Sequence, residues 1–281
     1  MQEIKLIVTD LDGTFLTHAS ESAIEENRRV MHQVQRMGIP VFPCTGRSWV
    51  QSVEQVSKYG FDNLCVVNNG ASLVEIGSGA LRYRNRIAPE LVAPLLQLGK
   101  KYAGCEILTQ VSCHSFIGFL EPEEAMTRER LIGRYGPQLN SENKLVMFRT
   151  VEEMIEGTRD AAELIRYIAE PDRVPKQMLD ELHAMQRVEV AWSYRLHLDV
   201  MAKGANKGSL LPLLADMCGA KVENVMALGD QDNDAPMLAM AGFGVAMGGA
   251  SPKAKEAADF VSDTAEHSGF AKALKEFVLD R

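Results

Sequence analysis

Two pairs of aspartates stand directly after apolar segments of the chain. Asp10 and Asp12 follow the first apolar run, and Asp230 and Asp234 follow a later one. Residues two apart on an extended chain point to the same side, so Asp10 and Asp12 would face one crevice. A surface hairpin is the alternative, because Asp-Gly is a common turn pair, but the residues before Asp10 do not alternate as hairpin strands do.

Carboxylates that meet at one edge of a sheet repel one another. If the two apolar runs are neighbouring parallel strands, Asp10 and Asp230 meet where open α/β sheets bind ligands. Two like charges about 4 Å apart repel by about 4 kcal/mol at an effective dielectric constant of about 20. A hard divalent cation would relieve this repulsion, and an all-oxygen site suits Mg²⁺. The alternative for the second cluster is a solvated helix N-terminus, where aspartates accept hydrogen bonds from free N–H groups.

Other residues could hold a phosphate group, which is what magnesium bound by carboxylates usually meets. Thr45 and Gly46 follow the second apolar segment and open a predicted helix, whose free N–H groups favour an anion. Lys207 stands at a predicted helix start, where the helix dipole disfavours a lysine, although most single lysines are surface residues. Asn233 could donate an amide hydrogen bond to a phosphate oxygen.

The elements that must position these residues alternate between strand and helix patterns. Strands are predicted at 4–8, 39–44 and 64–67, with helices between them. The first helix is expected to begin with a capping box formed by Ser22 and Glu25. This alternation, which the C-terminal part of the chain repeats, is typical of a doubly wound α/β domain with a parallel sheet.

The middle of the chain has a different pattern. Adjacent strand pairs between 107 and 120 and between 188 and 200 predict hairpins, which make antiparallel sheets. We therefore expect a Rossmann-like, doubly wound parallel-sheet core with an inserted α+β cap domain. The core is expected at 1–82 plus 193–281, and the cap at 83–192.

Composition excludes several classes of protein. The 281 residues are 46% hydrophobic and 24% charged, which is an ordinary globular mixture. A net charge of −8 argues against nucleic acid and anionic membranes as partners. The five cysteines are odd in number and lack metal-binding spacing, which favours reduced thiols. With neither a signal-peptide pattern nor an apolar span of about 20 residues, we expect a cytoplasmic protein, either a monomer or a homodimer.

Together, the motifs resemble those of the haloacid dehalogenase superfamily of phosphohydrolases. The resemblance is to its Cof-type branch, subfamily IIB, which carries a large α/β cap. It lies in the order and spacing of Asp10–Thr14 (DLDGT), Thr45–Arg47 (TGR), Lys207 and Gly229–Asp234 (GDQDND). Asn206 departs from the branch, which usually has serine or threonine before the lysine. Each motif alone is weak, but four in this order are specific.

The resemblance implies a Mg²⁺-dependent phosphatase that acts through an aspartyl-phosphate. Asp10 would be the nucleophile, while Asp12 would protonate the leaving alcohol and then deprotonate the attacking water. The Asp10 carboxylate, the Asp12 main-chain carbonyl and Asp230 would hold the metal. Asp234 would support the metal through water or orient Lys207.

The resemblance also implies which residues meet the substrate. The groups that would hold the transferring phosphoryl group are the Leu11 and Gly46 N–H groups and the side chains of Thr45, Lys207 and Asn233. The cap would select the leaving group, and its candidate residues are His114, Arg195 and His197. Each of these three could instead be a structural or solvated residue.

The expected substrate is a small phosphorylated metabolite such as a sugar phosphate. Two other functions stay open. One is a phosphomutase of the same fold, which returns the phosphoryl group to its substrate. The other is a non-enzymatic phospho-acceptor module like a receiver domain, which also uses an acidic cluster, a threonine and a lysine. Such a module would need neither the inserted segment nor an acid and base at Asp12.

Overall fold

The chain is organised as two compact units. A computed structural model describes residues 3–121, 129, 133, 144–194 and 196–280. The first unit comprises Met1–Gly46, Glu54–Arg82 and Asn206–Arg281, and the second comprises Arg47–Val53 and Tyr83–Ala205.

The second unit takes in more of the chain than the sequence pattern suggested. We expected the inserted domain to end at residue 192, which would cut the strand Val188–Tyr194. That strand pairs with His197–Ala202, so both strands stay in one unit, which continues to Ala205. Arg47–Val53, expected in the core, also belongs to the second unit.

The helices are short except for the first. None of those that the structure describes is long and apolar enough to cross a membrane. The helices with described bounds are α1 Glu21–Arg36, α2 Trp49–Tyr59, α3 Pro89–Lys101, α4 Val151–Thr158, α5 Lys176–Ala184, α6 Leu211–Met217, α7 Ala235–Met240, α8 Pro252–Ala257 and α9 Gly269–Leu274.

Helix α1 begins two residues earlier than the predicted capping box requires. Ser20, not Ser22, is the N-cap, and its side chain accepts a hydrogen bond from the Ala23 N–H at 3.2 Å. The helix ends before Gly38, as expected, and Gly38 adopts a positive φ of 82°. Both serines are suitable N-caps by residue type, and the backbone geometry at Ser20 decides between them.

Within the described residues, the strands fall into three sheets. Their bounds are β1 Leu6–Thr9, β2 Val41–Pro43, β3 Leu64–Val67, β4 Ser72–Glu75, β5 Leu81–Arg84, β6 Leu108–Ser112, β7 Ile117–Leu120, β8 Leu145–Phe148, β9 Leu164–Ile168, β10 Val188–Tyr194, β11 His197–Ala202, β12 Val225–Gly229, β13 Phe243–Ala246 and β14 Phe260–Val261.

The first unit contains a parallel sheet with the strand order β14-β13-β12-β1-β2. All four residues of β1 are buried, as a continuous apolar run in a parallel sheet requires. A parallel bridge between Cys44 and Val66 joins β3 to the far side of β2. This confirms the predicted α/β class with a parallel-sheet core. Strands β4 and β5, which complete a sheet of order β3-β4-β5, were not predicted.

The second unit contains a six-stranded sheet of order β10-β11-β9-β6-β7-β8. Both predicted hairpins are confirmed, because β6 pairs antiparallel with β7 and β10 pairs antiparallel with β11. Ile165 and Tyr167 of β9 belong to an apolar core with Leu95 of α3 and Met178 of α5. Successive strand residues face opposite sides, so Arg166 points away from that core.

Arg166 forms a buried ion pair with Asp199 on the neighbouring strand β11. Its Nε and one terminal nitrogen donate to the two carboxylate oxygens at 2.6 and 2.8 Å. The side chains are only 5% and 0% exposed. A buried charge is tolerated when its partner is present, so each residue depends on the other.

We expect Asp199→Ala to lower the free energy of unfolding by about 3–5 kcal/mol, because it leaves the Arg166 guanidinium buried without its carboxylate. Urea unfolding followed by circular dichroism measures this loss. Glu90→Ala is the control in the same unit, since it removes the exposed partner of Arg187 and should leave stability near that of the wild type. Equal losses in the two variants would contradict this account.

Candidate active site

The aspartates and the threonine singled out in the sequence follow the carboxyl ends of neighbouring strands. β1 pairs in parallel with β12 on one side and with β2 on the other. The Asp10 N–H donates to the Leu228 carbonyl at 2.9 Å, which continues the pairing one residue beyond β1. Asp10, Thr45 and Asp230 therefore emerge at the same edge of the sheet, as the sequence predicted.

Three carboxylates meet at this edge. Side-chain oxygens of Asp10, Asp230 and Asp234 lie within 4.8 Å of one another. The three residues are 4%, 6% and 0% exposed, so water does little to screen their charges. Segments more than 200 positions apart in the chain thus form one buried acidic cluster.

Lys207 compensates part of the negative charge of this cluster. Its Nζ lies 2.5 Å from Asp10 Oδ1 and 2.5 Å from Asp234 Oδ1, and its side chain is 2% exposed. Burial alone would lower the pKa of Lys207, but the two carboxylates outweigh burial and raise the pKa above its usual value. One permanent ammonium thus faces three carboxylates, which leaves two negative charges uncompensated when all three are ionised.

The uncompensated charge changes the titration of the acids. Burial raises the pKa of Asp10 well above its usual value; Lys207 opposes the shift, and Asp234, Asp230 and Asp12 add to it. Burial, together with the charge of Asp234, raises the pKa of Asp230 to about 6. The protein without a bound cation therefore resists full ionisation of this cluster near neutral pH.

The cluster fits a hard divalent cation. It offers only oxygen ligands, and its two uncompensated charges match the charge of such an ion in magnitude. Asp10 and Asp230, two of the predicted ligands, belong to it. Asp12 was expected to contribute its main-chain carbonyl and not its carboxylate, and that expectation stays a prediction.

The Asp230 carboxylate is held through both of its oxygens. Thr14 donates its hydroxyl to Oδ1 at 3.2 Å, and Gln231 donates its side-chain amide to Oδ2 at 2.7 Å. Gly13 lies directly against this carboxylate, since a Cβ at residue 13 would collide with Asp230 Oδ2, and its φ is +89°. A glycine is therefore required between Asp12 and Thr14 for steric and conformational reasons.

Asp234 connects the lysine to the loop that carries Asp230. Its Oδ1 accepts from Lys207, while its Oδ2 accepts the backbone N–H groups of Asp230 and Gln231, both at 2.9 Å. It thus contacts Lys207 directly, which is one of the two supporting roles that the resemblance implied.

The segment after Asp10 turns sharply away from the sheet. The Leu11 carbonyl accepts the Leu16 N–H at 2.7 Å, and the Gly13 N–H donates to the Leu16 carbonyl at 2.8 Å. Leu11 is buried, whereas Asp12 is partly exposed. Asp12 is near enough for its charge to act on Asp10.

Two further predicted phosphate ligands, Thr45 and Asn233, are buried beside Asn69, to which the sequence assigned no role. Thr45 and Asn233 are 1% and 5% exposed. Asn69 donates its backbone N–H to the Thr45 carbonyl at 3.1 Å and accepts a hydrogen bond from the Asn233 amide at 2.8 Å. In the sequence, Asn69 lies in an Asn-Asn-Gly run at the end of a predicted strand, which a turn explains, and the segment 69–71 also resembles the Cof-type branch, but neither signal assigns it a role.

The described cap candidates, His114 and His197, lie in the second unit. His114 lies between β6 and β7, and its Nδ1 is buried without a hydrogen-bond partner among the described residues. His197 is the first residue of β11. Arg195 lies outside the described residues. The predicted contact of these three residues with a substrate stays a prediction.

Comparisons with known proteins all point to one family. The profile of the haloacid dehalogenase-like hydrolase family matches residues 7–274. The chain is 26% identical over 280 residues to a 5-amino-6-(5-phospho-D-ribitylamino)uracil phosphatase of Bacillus subtilis, covering 99% of this chain and 97% of the relative. It is 28% identical over 262 residues to the HMP-PP phosphatase of Serratia proteamaculans, covering 89% and 86%.

A solved structure shows the same fold over nearly the whole chain. It is a phosphatase of the haloalkanoate (HAD) enzyme superfamily from Bacteroides thetaiotaomicron, with a TM-score of 0.79 and 26% sequence identity. The match covers 98% of this chain and 95% of that chain.

The raised pKa of Asp230 predicts how stability depends on pH. A folded pKa of about 6 against an ordinary 3.8 means that the folded chain holds this proton more tightly. The free energy of unfolding of the metal-free protein should therefore fall by about 3 kcal/mol, through Asp230 alone, as pH rises from about 4 to about 6. Urea unfolding in chelator over this pH range measures the fall in the free energy of unfolding. The Asp230→Asn variant should lack the contribution of about 3 kcal/mol that Asp230 makes to it.

Asp216→Asn is the matched control for this measurement. Asp216 is an exposed aspartate of α6, so its variant should keep the pH dependence of the wild type. Superimposable pH profiles for Asp230→Asn and the wild type would contradict the account.

Proposed function

The chain belongs to the haloacid dehalogenase-like hydrolase family, and on that premise we propose that it is a Mg²⁺-dependent phosphomonoesterase. Its substrate is a small phosphorylated metabolite, and the reaction passes through an aspartyl-phosphate on Asp10. The main support is the geometry around Lys207, whose ammonium lies 2.5 Å from both Asp10 and Asp234 beside Asp230. A buried carboxylate next to a fixed cation is suited to attack an anionic phosphorus centre.

In the first step, a carboxylate oxygen of Asp10 attacks phosphorus. The new bond joins this oxygen to phosphorus, and the bond between phosphorus and the ester oxygen breaks. The leaving oxygen takes the proton of the Asp12 carboxyl, so the alcohol departs neutral. Asp12 is the suitable acid because it stands two residues after Asp10 and is partly exposed.

In the second step, water attacks the phosphorus of the aspartyl-phosphate. Asp12, now ionised, takes a proton from this water. The bond between phosphorus and the Asp10 oxygen breaks, which releases inorganic phosphate and restores the Asp10 carboxylate. The same residue thus serves as acid and then as base, as microscopic reversibility allows.

The metal would be held by the carboxylates of Asp10 and Asp230 and by the main-chain carbonyl of Asp12. When bound, it would supply positive charge that balances the phosphoryl oxygens and keeps the Asp10 carboxyl ionised. Asp234 holds Lys207 and the backbone at Asp230 in place. Lys207 supplies the permanent positive charge at the same position.

The phosphoryl group would be bound where hydrogen-bond donors converge. These donors are the Leu11 and Gly46 N–H groups, the Thr45 hydroxyl, the Lys207 ammonium and the Asn233 amide. Donors that are fixed before the substrate arrives need no reorganisation during transfer, which is the source of their contribution to rate. The buried positions of Thr45, Lys207 and Asn233 support this arrangement.

The substrate class that the relatives favour is a phosphate ester of a sugar or polyol attached to a larger group. The name of the Bacillus subtilis relative describes a phosphorylated ribityl chain on a uracil ring. The leaving group would be selected by the second unit, with His114, Arg195 and His197 as candidate contacts.

We expect Asp10→Asn and Asp12→Asn each to lower kcat by at least about 10³-fold, because the first removes the nucleophile and the second removes the acid and base. Release of inorganic phosphate measures the loss, and mass spectrometry of rapidly quenched wild-type protein should find the phosphoryl group on the peptide that contains Asp10. Asp232→Asn is the control, since Asp232 lies in the same acidic loop but outside the buried cluster. Full activity of Asp12→Asn would exclude this mechanism.

Phosphate release from a panel of sugar and polyol phosphates should require Mg²⁺. We expect turnover to disappear in chelator and to return when Mg²⁺ is added, because the buried carboxylates need a cation to stay ionised. Asp230→Asn should lose this response and should also lose the rise in melting temperature that Mg²⁺ gives the wild type. Turnover that persists in chelator would contradict the metal site.

A further inference from the structure

The loop Asn68–Gly70 at the end of β3 has an unusual backbone. Its three residues have φ values of 50°, 54° and 91°, so all three adopt left-handed conformations. Asparagine tolerates this region better than most residues, but two consecutive non-glycine residues there are still strained. Such strain persists only where the surrounding structure fixes the conformation, and it is concentrated at functional sites.

Several contacts of the loop lead to the proposed phosphate-binding residues. The Asn69 N–H donates to the Thr45 carbonyl at 3.1 Å. A Cβ on Gly46 would lie 2.9 Å from Asn69 Oδ1, and one on Gly70 would collide with the Asn206 carbonyl, next to Lys207. The loop therefore lies directly against the segments that carry Thr45 and Lys207.

A further contact is a hydrogen bond from the side chain of Asn233. Asn233 Nδ2 donates to Asn69 Oδ1 at 2.8 Å, and the two residues are 5% and 1% exposed. Asn233 Oδ1 is buried and has no partner among the described residues. Among the described residues, this hydrogen bond to Asn69 is thus the interaction that orients the Asn233 amide.

We propose that Asn69 is a positioning residue that aims the Asn233 amide at the transferring phosphoryl group, an inference that rests on the proposed function. An amide nitrogen carries two hydrogens. One is held by Asn69 Oδ1, which leaves the other as a pre-oriented donor. A donor whose rotamer is already fixed binds an anion without further ordering.

The residue type at position 69 matches this role. The position needs a residue that tolerates a positive φ and carries a neutral acceptor. Glycine would satisfy the backbone but lacks the acceptor. Aspartate would provide an acceptor but would place a negative charge against Thr45, Gly46 and Asn233, the residues proposed to bind an anionic phosphate group. Asparagine meets both requirements.

The test compares Asn69→Gly with Asn68→Gly. Both substitutions remove a buried side-chain amide from a residue with a left-handed backbone, and both relieve backbone strain. Only Asn69→Gly removes the oxygen that accepts the hydrogen bond from Asn233. We expect Asn69→Gly to weaken the binding of inorganic phosphate in the presence of Mg²⁺, measured by calorimetry, and to lower kcat/KM by about 10- to 100-fold. Asn68→Gly should change both quantities far less.

A double-mutant cycle separates positioning from a general structural effect. If Asn69 acts through Asn233, then Asn69→Gly should change phosphate affinity and kcat/KM by less than about twofold in an Asn233→Ala background. Losses that multiply in the double variant would overturn the inference. Wild-type values in Asn69→Gly, or equal losses in Asn68→Gly, would overturn it as well.

The inference and the proposed function can fail separately. Wild-type protein that hydrolyses phosphate esters, with Asn69→Gly equally active, would refute the positioning role and leave the function standing. Phosphate binding that depends on the Asn69–Asn233 pair, without hydrolysis of any ester, would refute the function and leave the positioning role standing. A wild-type protein that neither binds phosphate nor hydrolyses esters would refute both.

Discussion

The contact of the Lys207 ammonium with Asp10 and Asp234 is the interaction on which the rest of the site depends. Carboxylates removed from water are stable only when charge or hydrogen bonds compensate them, and one lysine compensates three aspartates only in part. The compensation is sufficient for the chain to fold around the cluster. It also leaves negative charge uncompensated when all three carboxylates are ionised, and this is the charge that the proposed cation would balance.

Polar contacts hold the groups of this sheet edge in place. Asp234 Oδ2 holds two backbone N–H groups of the loop after β12, and Thr14 reaches the Asp230 carboxylate from the loop after β1. Asn69 connects the loops that carry Thr45 and Asn233 in the same way. The loop after β12 is therefore fixed both from within, by Asp234, and by residues of two other loops, Thr14 and Asn69. The geometry of the site is a property of the whole edge, and no single loop would keep it in isolation.

The sequence predicted what depends on local pattern, and it missed what depends on distant partners. Continuous apolar runs identified β1 and β12, and aspartates after such runs identified the acidic edge, because parallel strands end together. The family resemblance supplied roles that no spacing could give. The Asn69–Asn233 bond joins residues 164 positions apart, and no local pattern predicts it. The Arg166–Asp199 pair could not be predicted either, because the alternation of strand residues places Arg166 on one face of the sheet but does not identify its partner. Ser20 was missed as the helix cap because Ser22 is equally suitable by residue type.

The pairing of β1 with β12 has a consequence for biosynthesis. Leu6 is opposite Val225, so the partner of one edge of β1 is synthesised 219 positions later. At about 5 to 20 residues per second, the ribosome needs about 10 to 40 s to supply it. During that interval an apolar strand of four residues has an unpaired edge, which is a template for aggregation. The nascent chain would therefore benefit from chaperone protection until the last third emerges, whereas the intervening segment can pair its own strands as soon as it has been made.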